Sequence, residues 1–352
     1  MLVRLVRAPS HFRQVVVSLT GDGVHASALR AAGIEVVDLK MRRGIPSPAA
    51  LVRLVRLIRR LRPGVIQTWL YHADFLGVLA ARLAGRAPVV WTLRCSDMDL
   101  SRYGLTRLVV RALARLSFWP DVVAVNAEAG RLWHERLGYR PRAWEYLPNG
   151  IDTDHFHPDD AARCAWRERL GLGRETVLVG MAARRDPMKD HAGFLAAAAQ
   201  VTGDIAFALV GTGVNASDPE LARLAGAVAK PVHLLGPCAD MPGFFAGLDV
   251  AVLASFSEGF PNVVAEAMAC EVPVVAADVG AAAEIIGETG RIVPPGNRHA
   301  LALVLADLVA VAPEERRRLG ALARARILRH YALPAAAQHH HALWARLAEG
   351  KG

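Results

Sequence analysis

The chain has 352 residues, of which 53% are hydrophobic and 21% charged, and its formal net charge is +9. This composition excludes a disordered or collagen-like protein, and the length suggests two globular domains. The cysteines form no CxxC pair, so neither a zinc site nor a disulfide framework is indicated, and a reducing cytoplasm fits best. There is no run of about 18 apolar residues and no signal-peptide pattern, so the protein is expected to be neither exported nor membrane-spanning.

In the first half of the chain, short β-branched runs alternate with helical patterns. The runs that predict strands are Gln14–Leu19, Glu35–Leu39, Val65–Trp69, Val89–Leu93 and Val122–Asn126. Residues 1–150 hold 23 lysines and arginines against 10 acidic residues, whereas residues 151–352 hold 19 against 23. The charges of +13 and −4 indicate that the basic part faces an anionic surface, such as membrane lipid or a lipid phosphate. Nucleic acid is not expected, because no binding motif or aromatic stacking platform accompanies the charge.

One basic segment of the first half has helical periodicity. From Pro48 to Arg62, apolar residues recur at helical spacing and the arginines gather on the other side. This predicts a basic amphipathic helix. Either it covers a sheet with its arginines in water, or it contacts anionic lipid.

The second half repeats the alternation of strands and helices. The predicted strands are Thr176–Ala182, Ile205–Gly211, Val232–Leu235, Val250–Ala254 and Val272–Ala276. Two such series predict an α/β protein with two Rossmann-like, doubly wound parallel sheets. The turn residues Pro148, Asn149 and Gly150 predict a hinge between domains 1–148 and 149–330, with a C-terminal helix in 331–352 that packs back toward the first domain. Ligands of such sheets bind beyond the carboxyl ends of the strands, so a cleft between two domains suits a two-substrate reaction.

The most informative segment follows the predicted strand Val250–Ala254. Glu258 and Gly259 come first, Pro261 suits the first turn of a helix, and the helix is predicted for 262–270. The free N–H groups at its start favour an anionic group, such as the leaving group of a nucleotide sugar. Glu258 and Glu266 would then accept hydrogen bonds from different hydroxyls of one ligand. By spacing alone, an ordinary loop glutamate and an ordinary helix glutamate are the favoured explanation, because two glutamates eight residues apart are common.

The whole segment from Ser257 to Ala269 resembles the E-x7-E motif of retaining glycosyltransferases of the family 4 type, which have the two-domain GT-B architecture. Further segments match that family in the same order, and the resemblance extends from about Gln14 to Leu305. These segments are Leu147–Asp152, Gly180–His191, Leu209–Gly213 and Gly290–Gly296.

The resemblance implies roles for particular residues of this chain. Arg184 and Lys189 would hold the donor diphosphate, Glu266 would bond the ribose hydroxyls, and Glu258 would contact the transferred sugar near the reacting carbon. The donor site would be completed by Gly259, Phe260 and Asn262. The sequence shows no evident second carboxylate for a double displacement. The resemblance also implies retention of configuration, by front-face attack.

The implied roles agree with the chemistry of the reaction. Fixed cations stabilise the negative charge that develops on the leaving diphosphate, so Arg184 and Lys189 could replace a metal ion. We therefore expect no metal and no cofactor, and the tripeptides Asp97–Asp99 and Asp152–Asp154 are attributed to chance rather than to a DxD metal site. The consecutive histidines 339–341 point in different directions and are predicted to lie on the surface.

The first domain should hold the acceptor, and here the sequence departs from the family. Members usually begin with a strand and a glycine-rich loop about 25 residues before the strand matching Gln14–Leu19. Both are missing, and Met1–Arg7 looks like the end of the helix that follows the loop. The missing strand would lie mid-sheet, so its absence should leave two neighbouring strands unpaired and remove part of the acceptor surface. Either the start was placed too late, or the enzyme is truncated and inactive.

Candidate acceptor residues are His72, Arg94 and Asp97, with buried structural polar groups as the alternative. Many family members carry a histidine in the loop after Val89–Leu93, where this chain has Arg94-Cys95-Ser96-Asp97.

The sequence thus predicts a cytoplasmic retaining glycosyltransferase, peripheral on the inner membrane face. It would move a sugar from a nucleotide sugar, expected to be a UDP-sugar, to a saccharide or lipid-linked acceptor in polysaccharide or glycoconjugate biosynthesis. Two alternatives remain: a sugar-nucleotide epimerase of the same architecture, and a truncated, inactive nucleotide-sugar-binding protein.

Overall fold

The computed structural model describes residues 1–42, 47–85, 87–98, 100–102 and 104–350. The strands are β1 (Val15–Ser18), β2 (Glu35–Asp38), β3 (Ile66–Trp69), β4 (Val89–Leu93), β5 (Val122–Val125), β6 (Trp144–Tyr146), β7 (Val177–Ala182), β8 (Ile205–Val210), β9 (Val232–Leu234), β10 (Val250–Leu253), β11 (Val274–Ala277) and β12 (Arg291–Val293). The helices are α1 (Leu2–Arg7), α2 (Ala26–Ala31), α3 (Pro48–Leu61), α4 (Tyr71–Ala84), α5 (Gly104–Leu116), α6 (Glu128–Arg136), α7 (Asp160–Arg169), α8 (His191–Ala198), α9 (Pro219–Gly226), α10 (Met241–Gly247), α11 (Asn262–Ala269), α12 (Ala282–Ile286), α13 (Arg298–Ala310), α14 (Pro313–His330) and α15 (Leu333–Glu349).

The chain divides into two compact units. Unit 1 consists of Met1–Gly150 together with Leu333–Gly352, and unit 2 is Ile151–Ala332. The chain therefore passes between the units after Gly150 and again after Ala332. The C-terminal helix α15 belongs to unit 1.

Unit 2 contains a parallel sheet with the strand order β12-β11-β10-β7-β8-β9. Strands β8, β10 and β11 are buried along their whole length, because helices cover both faces of such a sheet. The chain starts at β7, moves outward through β8 and β9, and returns to β10 on the other side of β7. The strand order therefore reverses between β7 and β10, which is where sheets of this kind bind ligands at the carboxyl ends of their strands.

Unit 1 contains two separate parallel sheets. One has the strand order β3-β4-β5-β6, and the other consists of β1 and β2. The core of the larger sheet includes Trp91 and Tyr139, both fully buried. Within the described residues, β1 pairs with no strand except β2, and β3 with none except β4. This agrees with the sequence-based expectation that two neighbouring strands would lack a partner.

Several local features differ from the predictions. His340 is fully buried in unit 1, so the prediction that all three consecutive histidines lie on the surface was wrong for this one. Pro261 takes the N-cap position of α11 rather than a place in its first turn. The short strands β6 and β12 were not predicted. The basic helix α3 ends at Leu61, and its arginines at positions 53, 56, 59 and 60 are exposed.

Across the part of the chain that the structure describes, no helix combines the length and the apolarity that a membrane crossing requires.

Candidate functional site

The predicted donor residues of unit 2 lie at the carboxyl ends of β7 and β10. Arg184 and Lys189 follow β7, and Glu258 follows β10. These two strands are neighbours in the sheet, with Ala251 opposite Gly180. The sheet register thus brings the two segments together at the point where the strand order reverses.

Lys189 and Glu258 form the central contact of this site. The Lys189 Nζ atom lies 2.5 Å from Glu258 Oε1, and both side chains are only about 15% exposed (15% and 14%). The buried Ser255 hydroxyl donates a second hydrogen bond of 2.7 Å to the same carboxylate oxygen. Removing one partner of a poorly hydrated ion pair leaves the other charge uncompensated, which is costly. If one of these two residues were displaced, the other would therefore bind a different group of opposite charge.

The loop that carries Lys189 is built from local turn chemistry. The Asp186 carboxylate accepts a hydrogen bond of 2.9 Å from the Met188 N–H, at the start of the 3-10 turn Pro187–Lys189. The next residue, Asp190, has a φ of 50° and caps α8 by accepting from the Gly193 N–H at 2.9 Å. The Phe256 N–H donates to the Met188 carbonyl at 2.8 Å, which ties the loop after β7 to the loop after β10.

Arg184 is the most exposed cation of the site. Its side chain is 66% exposed and forms a 2.8 Å ion pair with Asp186. Exposed pairs of this kind contribute little, so the guanidinium is free to take a better anionic partner. Its neighbour Arg185 is instead held by Asp218 and Glu220 on the far side of the loop.

A glycine turn supports the Arg184 loop from behind. The Gly211-Thr212-Gly213 turn follows β8, and the Thr212 carbonyl accepts a 2.8 Å hydrogen bond from the Arg185 N–H. Gly211 has a φ of 149°, and a Cβ atom there would lie 2.0 Å from the Ala183 carbonyl oxygen. A side chain at position 211 would therefore displace the loop. This geometry is that of a tight turn, which only glycine allows without strain at this φ.

A second glycine supports the Glu258 loop and was missed from the sequence. Gly280 has a φ of 58°, and a Cβ atom there would lie 2.2 Å from the Gly259 oxygen and 2.5 Å from the Glu258 oxygen. The next residue, Ala281, donates its N–H to the same Gly259 carbonyl at 2.9 Å. The one feature of the sequence that could have identified Gly280 was its position after the carboxyl end of β11. Ser255 was likewise missed.

The remaining predicted donor residues lie around the start of α11. Asn262 is its first residue, and Glu266 lies one turn further along with only 8% exposure. Phe260 is buried, and its ring packs edge-on against Tyr331 with 5.7 Å between ring centroids. The ring of Phe260 thus belongs to the core, so a ligand at this site would meet the backbone of Gly259 and Phe260.

In unit 1, the structure brings together a predicted acceptor residue and a predicted hinge residue. The Arg94 guanidinium donates a hydrogen bond to the buried Asn149 amide oxygen and stacks over Trp69, with its carbon 4.4 Å from the ring centroid. His340 stacks on the same indole at 6.1 Å. Pro148 and Gly150 flank Asn149, and a Cβ atom on Gly150 would lie 2.8 Å from the Leu333 backbone.

Burial changes the acid–base properties of this cluster. It lowers the pKa of Arg94 to about 9 and that of His340 to about 3. Among the described residues, Nε and Nη2 of Arg94 have no hydrogen-bond partner. Elsewhere in unit 1, Asp74 is buried and accepts a hydrogen bond from the Thr68 hydroxyl, and burial raises its pKa well above the usual value. The other two candidates, His72 and Asp97, are exposed.

Within the described ranges, no group of three or more His, Cys, Asp or Glu side chains is arranged to hold a metal ion. Asp99, part of one of the two DxD tripeptides, lies outside the described residues.

Comparison with known proteins identifies the family. Residues 4–155 match the family model described as Glycosyltransferase Family 4, and residues 174–310 match the model described as Glycosyl transferases group 1. A GDP-mannose-dependent alpha-(1-6)-phosphatidylinositol monomannoside mannosyltransferase of Mycobacterium tuberculosis is 30% identical over 324 residues, covering 87% of this chain and 82% of its own. The protein of the same name from Mycolicibacterium smegmatis is 31% identical, with 76% and 72% covered.

The fold is shared with solved glycosyltransferase structures. A crystal structure of Anabaena HepE in complex with UDP and glucose superposes with a TM-score of 0.83 at 23% identity, covering 98% of this chain and 95% of that one. The chain thus has the GT-B fold of two Rossmann-like units. It belongs to the family 4 glycosyltransferases, enzymes that transfer a sugar from a nucleotide sugar to an acceptor.

Proposed function

We propose that this glycosyltransferase is a retaining enzyme without a metal cofactor, and that unit 2 holds its donor through Arg184, Lys189, Glu258 and Glu266. The observation that carries the proposal is the contact of Lys189 with Glu258 at the junction of β7 and β10. This contact places a cation that can bind a diphosphate next to a carboxylate that can bind a sugar, at a site where both side chains have little exposure to solvent.

The proposed mechanism begins with an exchange of partners. The diphosphate of an incoming donor competes with Glu258 for the Lys189 ammonium group, and Arg184 leaves its exposed pair with Asp186 to bind the same phosphates. Two fixed cations then stabilise the charge that develops on the leaving diphosphate. Glu258, released from Lys189 and still bonded to Ser255, faces the positive character of the sugar ring.

The side chain of Glu266 has a separate task in this proposal. It lies in the first turns of α11, where the helix N-terminus favours negative charge nearby, and it would accept hydrogen bonds from the ribose hydroxyls. Gly259 and Asn262 contribute backbone around the donor. The catalytic role falls to Glu258.

For the donor, we infer a UDP-sugar, and GDP-mannose is the second donor to test. The mycobacterial relatives are named as GDP-mannose-dependent, whereas an Escherichia coli relative at 26% identity is named a UDP-Gal:alpha-D-GlcNAc-diphosphoundecaprenol galactosyltransferase. Several of these names describe lipid-linked acceptors, which supports a lipid-linked saccharide as the acceptor here. The basic unit 1, with exposed arginines on α3, would bring the cytoplasmic enzyme to the anionic inner membrane face.

The test compares matched variants for binding and transfer. Lys189→Met is expected to weaken UDP and GDP binding about 10- to 100-fold in calorimetric titration, because charge-assisted hydrogen bonds contribute about 1.5–3 kcal/mol. Its control is Lys230→Met, whose lysine lies before β9. Glu258→Gln should bind nucleotide at least as tightly as the wild type, because its amide no longer competes with the diphosphate for Lys189, and should lose transfer at least about 100-fold. Glu288→Gln, at an exposed glutamate, is its control. Wild-type nucleotide affinity in Lys189→Met would contradict the donor assignment.

Two further measurements separate the remaining alternatives. Proton NMR of the first-formed product reports the anomeric configuration, and an inverted linkage would rule out retention. Conversion of a nucleotide sugar without any acceptor would indicate an epimerase. Donor binding without turnover would indicate an inactive binding protein.

A further inference from the structure

The aromatic ring of Tyr331 packs against the Glu258 loop (residues 255–261). Tyr331 is the C-cap residue of α14, and its side chain is buried. Its ring meets the buried ring of Phe260 edge-on, at an angle of 65° and with 5.7 Å between the ring centroids. Aromatic rings favour such edge-to-face arrangements. Because Phe260 lies two residues after Glu258, Tyr331 supports the loop that carries the proposed catalytic carboxylate.

The hydroxyl group of Tyr331 supports the same loop through α12. It donates a 3.1 Å hydrogen bond to the Glu284 carbonyl of that helix. The residue before α12, Ala281, donates its N–H to the Gly259 carbonyl at 2.9 Å. Arg326 also donates to the Glu284 carbonyl, at 2.7 Å, so α12 stays bonded to α14 when the hydroxyl alone is removed. The ring of Tyr331 is therefore the main support and its hydroxyl the lesser one.

Helix α14 runs antiparallel along α11 and contacts both of its ends. Just beyond the C-terminus of α11, a Cβ atom on Gly320 would overlap the Glu271 carbonyl oxygen, so the two backbones are in close contact there. One turn further along α14, the Arg324 guanidinium donates to the Ala269 carbonyl at the end of α11. Tyr331 lies at the other end, against the loop that precedes α11. Helix α14 thus holds both the C-terminal end of α11 and the Glu258 loop.

The backbone of Tyr331 is itself held on both sides. Its carbonyl accepts a 2.8 Å hydrogen bond from the Ile151 N–H, and the next residue, Ala332, forms a parallel bridge with Ile151. The Tyr331 N–H donates to the Ile327 carbonyl at 2.8 Å. A catalytic group stays in its productive geometry when the residues that support it are locked by packing and hydrogen bonds. The Tyr331 ring meets this condition for the Glu258 loop.

We propose that Tyr331 is a positioning residue of the transfer reaction, which keeps Glu258 in place by holding the ring of Phe260. The proposal rests on the catalytic role proposed for Glu258. Removing the Tyr331 ring would leave space beside Phe260, into which the Glu258 loop can move. Arg184 and Lys189 belong to the loop after β7, so the cations that bind the diphosphate would keep their positions. Loss of the ring should therefore slow transfer without weakening nucleotide binding.

The test compares two substitutions at position 331. Tyr331→Phe keeps the ring and removes the hydroxyl, whereas Tyr331→Leu removes the ring. We expect kcat to fall about 30-fold in Tyr331→Leu and to stay within about threefold of the wild type in Tyr331→Phe, because a displacement of about 1 Å can cost a catalytic group about 100-fold. The dissociation constants for UDP and GDP, from calorimetric titration, should change less than about threefold in both. An equal loss of kcat in both variants overturns the role of the ring.

A matched control removes another buried ring of unit 2. Phe244 of α10 is buried and packs edge-on against Trp166 of α7, with 5.6 Å between ring centroids. Phe244→Leu should lower the melting temperature about as much as Tyr331→Leu and leave kcat within about twofold of the wild type. If Phe244→Leu loses as much kcat as Tyr331→Leu, general destabilisation explains both losses and the positioning role is overturned.

A double variant separates this proposal from the catalytic role of Glu258. If Tyr331 acts through Glu258, adding Tyr331→Leu to Glu258→Gln should cost at most about a further threefold in kcat. The full loss in that background shows that Tyr331 acts by another route, which overturns the proposal. Wild-type transfer by Glu258→Gln overturns the role of Glu258 and the positioning role with it. Loss of transfer in Glu258→Gln, together with normal kcat in Tyr331→Leu, overturns the positioning role alone.

The other ring of the pair gives the same test if Tyr331→Leu does not fold. Phe260→Leu should also lower kcat about 30-fold and leave the dissociation constant for UDP within about threefold. Hydrogen exchange of the amides in the Glu258 loop, followed by mass spectrometry with β11 as the internal reference, should be at least about 10-fold faster than in the wild type. Wild-type kcat or wild-type exchange in Phe260→Leu overturns the proposal.

Discussion

Replacing Gly280 with alanine would move the Glu258 loop without changing any proposed donor residue. A Cβ atom at this position lies 2.2 Å from the Gly259 carbonyl oxygen, and real Cβ contacts essentially never come closer than 3.0 Å. The loop must therefore retreat by close to 1 Å. The Gly259 carbonyl also loses its 2.9 Å hydrogen bond from the Ala281 N–H if it moves away from residues 280 and 281.

The size of the effect follows from this displacement. Catalytic groups displaced by about 1 Å can cost about 100-fold in rate, which corresponds to about 2.7 kcal/mol of transition-state stabilisation. The left-handed backbone at a φ of 58° costs alanine a further 1–2 kcal/mol, roughly, and that cost appears in the free energy of unfolding. We expect kcat/KM of Gly280→Ala to fall about 100-fold while the protein remains folded.

The assay is initial-rate transfer with the best donor and acceptor found, alongside thermal melting followed by circular dichroism. Gly226→Ala is the matched control, since Gly226 ends α9 and a Cβ atom there meets no heavy atom within 4 Å. If Gly280→Ala keeps a kcat/KM within about twofold of the control, the Gly280 contact does not position Glu258 and the reasoning is refuted.

Three further predictions concern other parts of the molecule. Gly211→Ala should weaken UDP or GDP binding about 10-fold by pushing the Arg184 loop away, measured by calorimetry, and unchanged affinity would contradict it. Arg94→Gln should raise the acceptor KM about 10-fold without changing nucleotide affinity, and a change in nucleotide affinity alone would contradict its acceptor-side role. Burial lowers the pKa of His134 to about 4, so its unfolded form takes up a proton below pH 6.5 and its folded form does not. Stability should therefore fall between pH 7 and 5 by about 2 kcal/mol from this residue, and urea unfolding of His134→Gln should show a shallower pH dependence.

The strands could be predicted because buried parallel strands are continuous apolar runs. The predicted run Val122–Asn126 and the strand β5, Val122–Val125, differ by one residue. The strands β6 and β12 have only three residues each, are followed within two residues by a proline, and lie at the edges of their sheets. So short a segment carries no periodic pattern, and its pairing is decided by the neighbouring strand.

Only those features of the site that a local sequence motif describes could be predicted. A local pattern places Glu258 before a helix, but its contact with Lys189 depends on β7 and β10 being neighbours, and the two residues are 69 apart in sequence. His340 shows the same limit: its burial depends on Trp69, far away in the chain, and not on the helix that carries it. Gly280 is important because it has no side chain where one would overlap the backbone of the Glu258 loop. A sequence motif does not show which backbone atoms lie close to a glycine.

The order in which the two units can finish folding follows from how the chain crosses between them. Unit 1 needs α15, because Leu343 packs with Val90, Val122 and Leu147 in its core. During synthesis, all of unit 2 leaves the ribosome before α15 does, so the later half of the protein can reach its native state first. Until α15 has been synthesised, part of the apolar core of unit 1 stays exposed, and a chaperone would bind the chain during this interval.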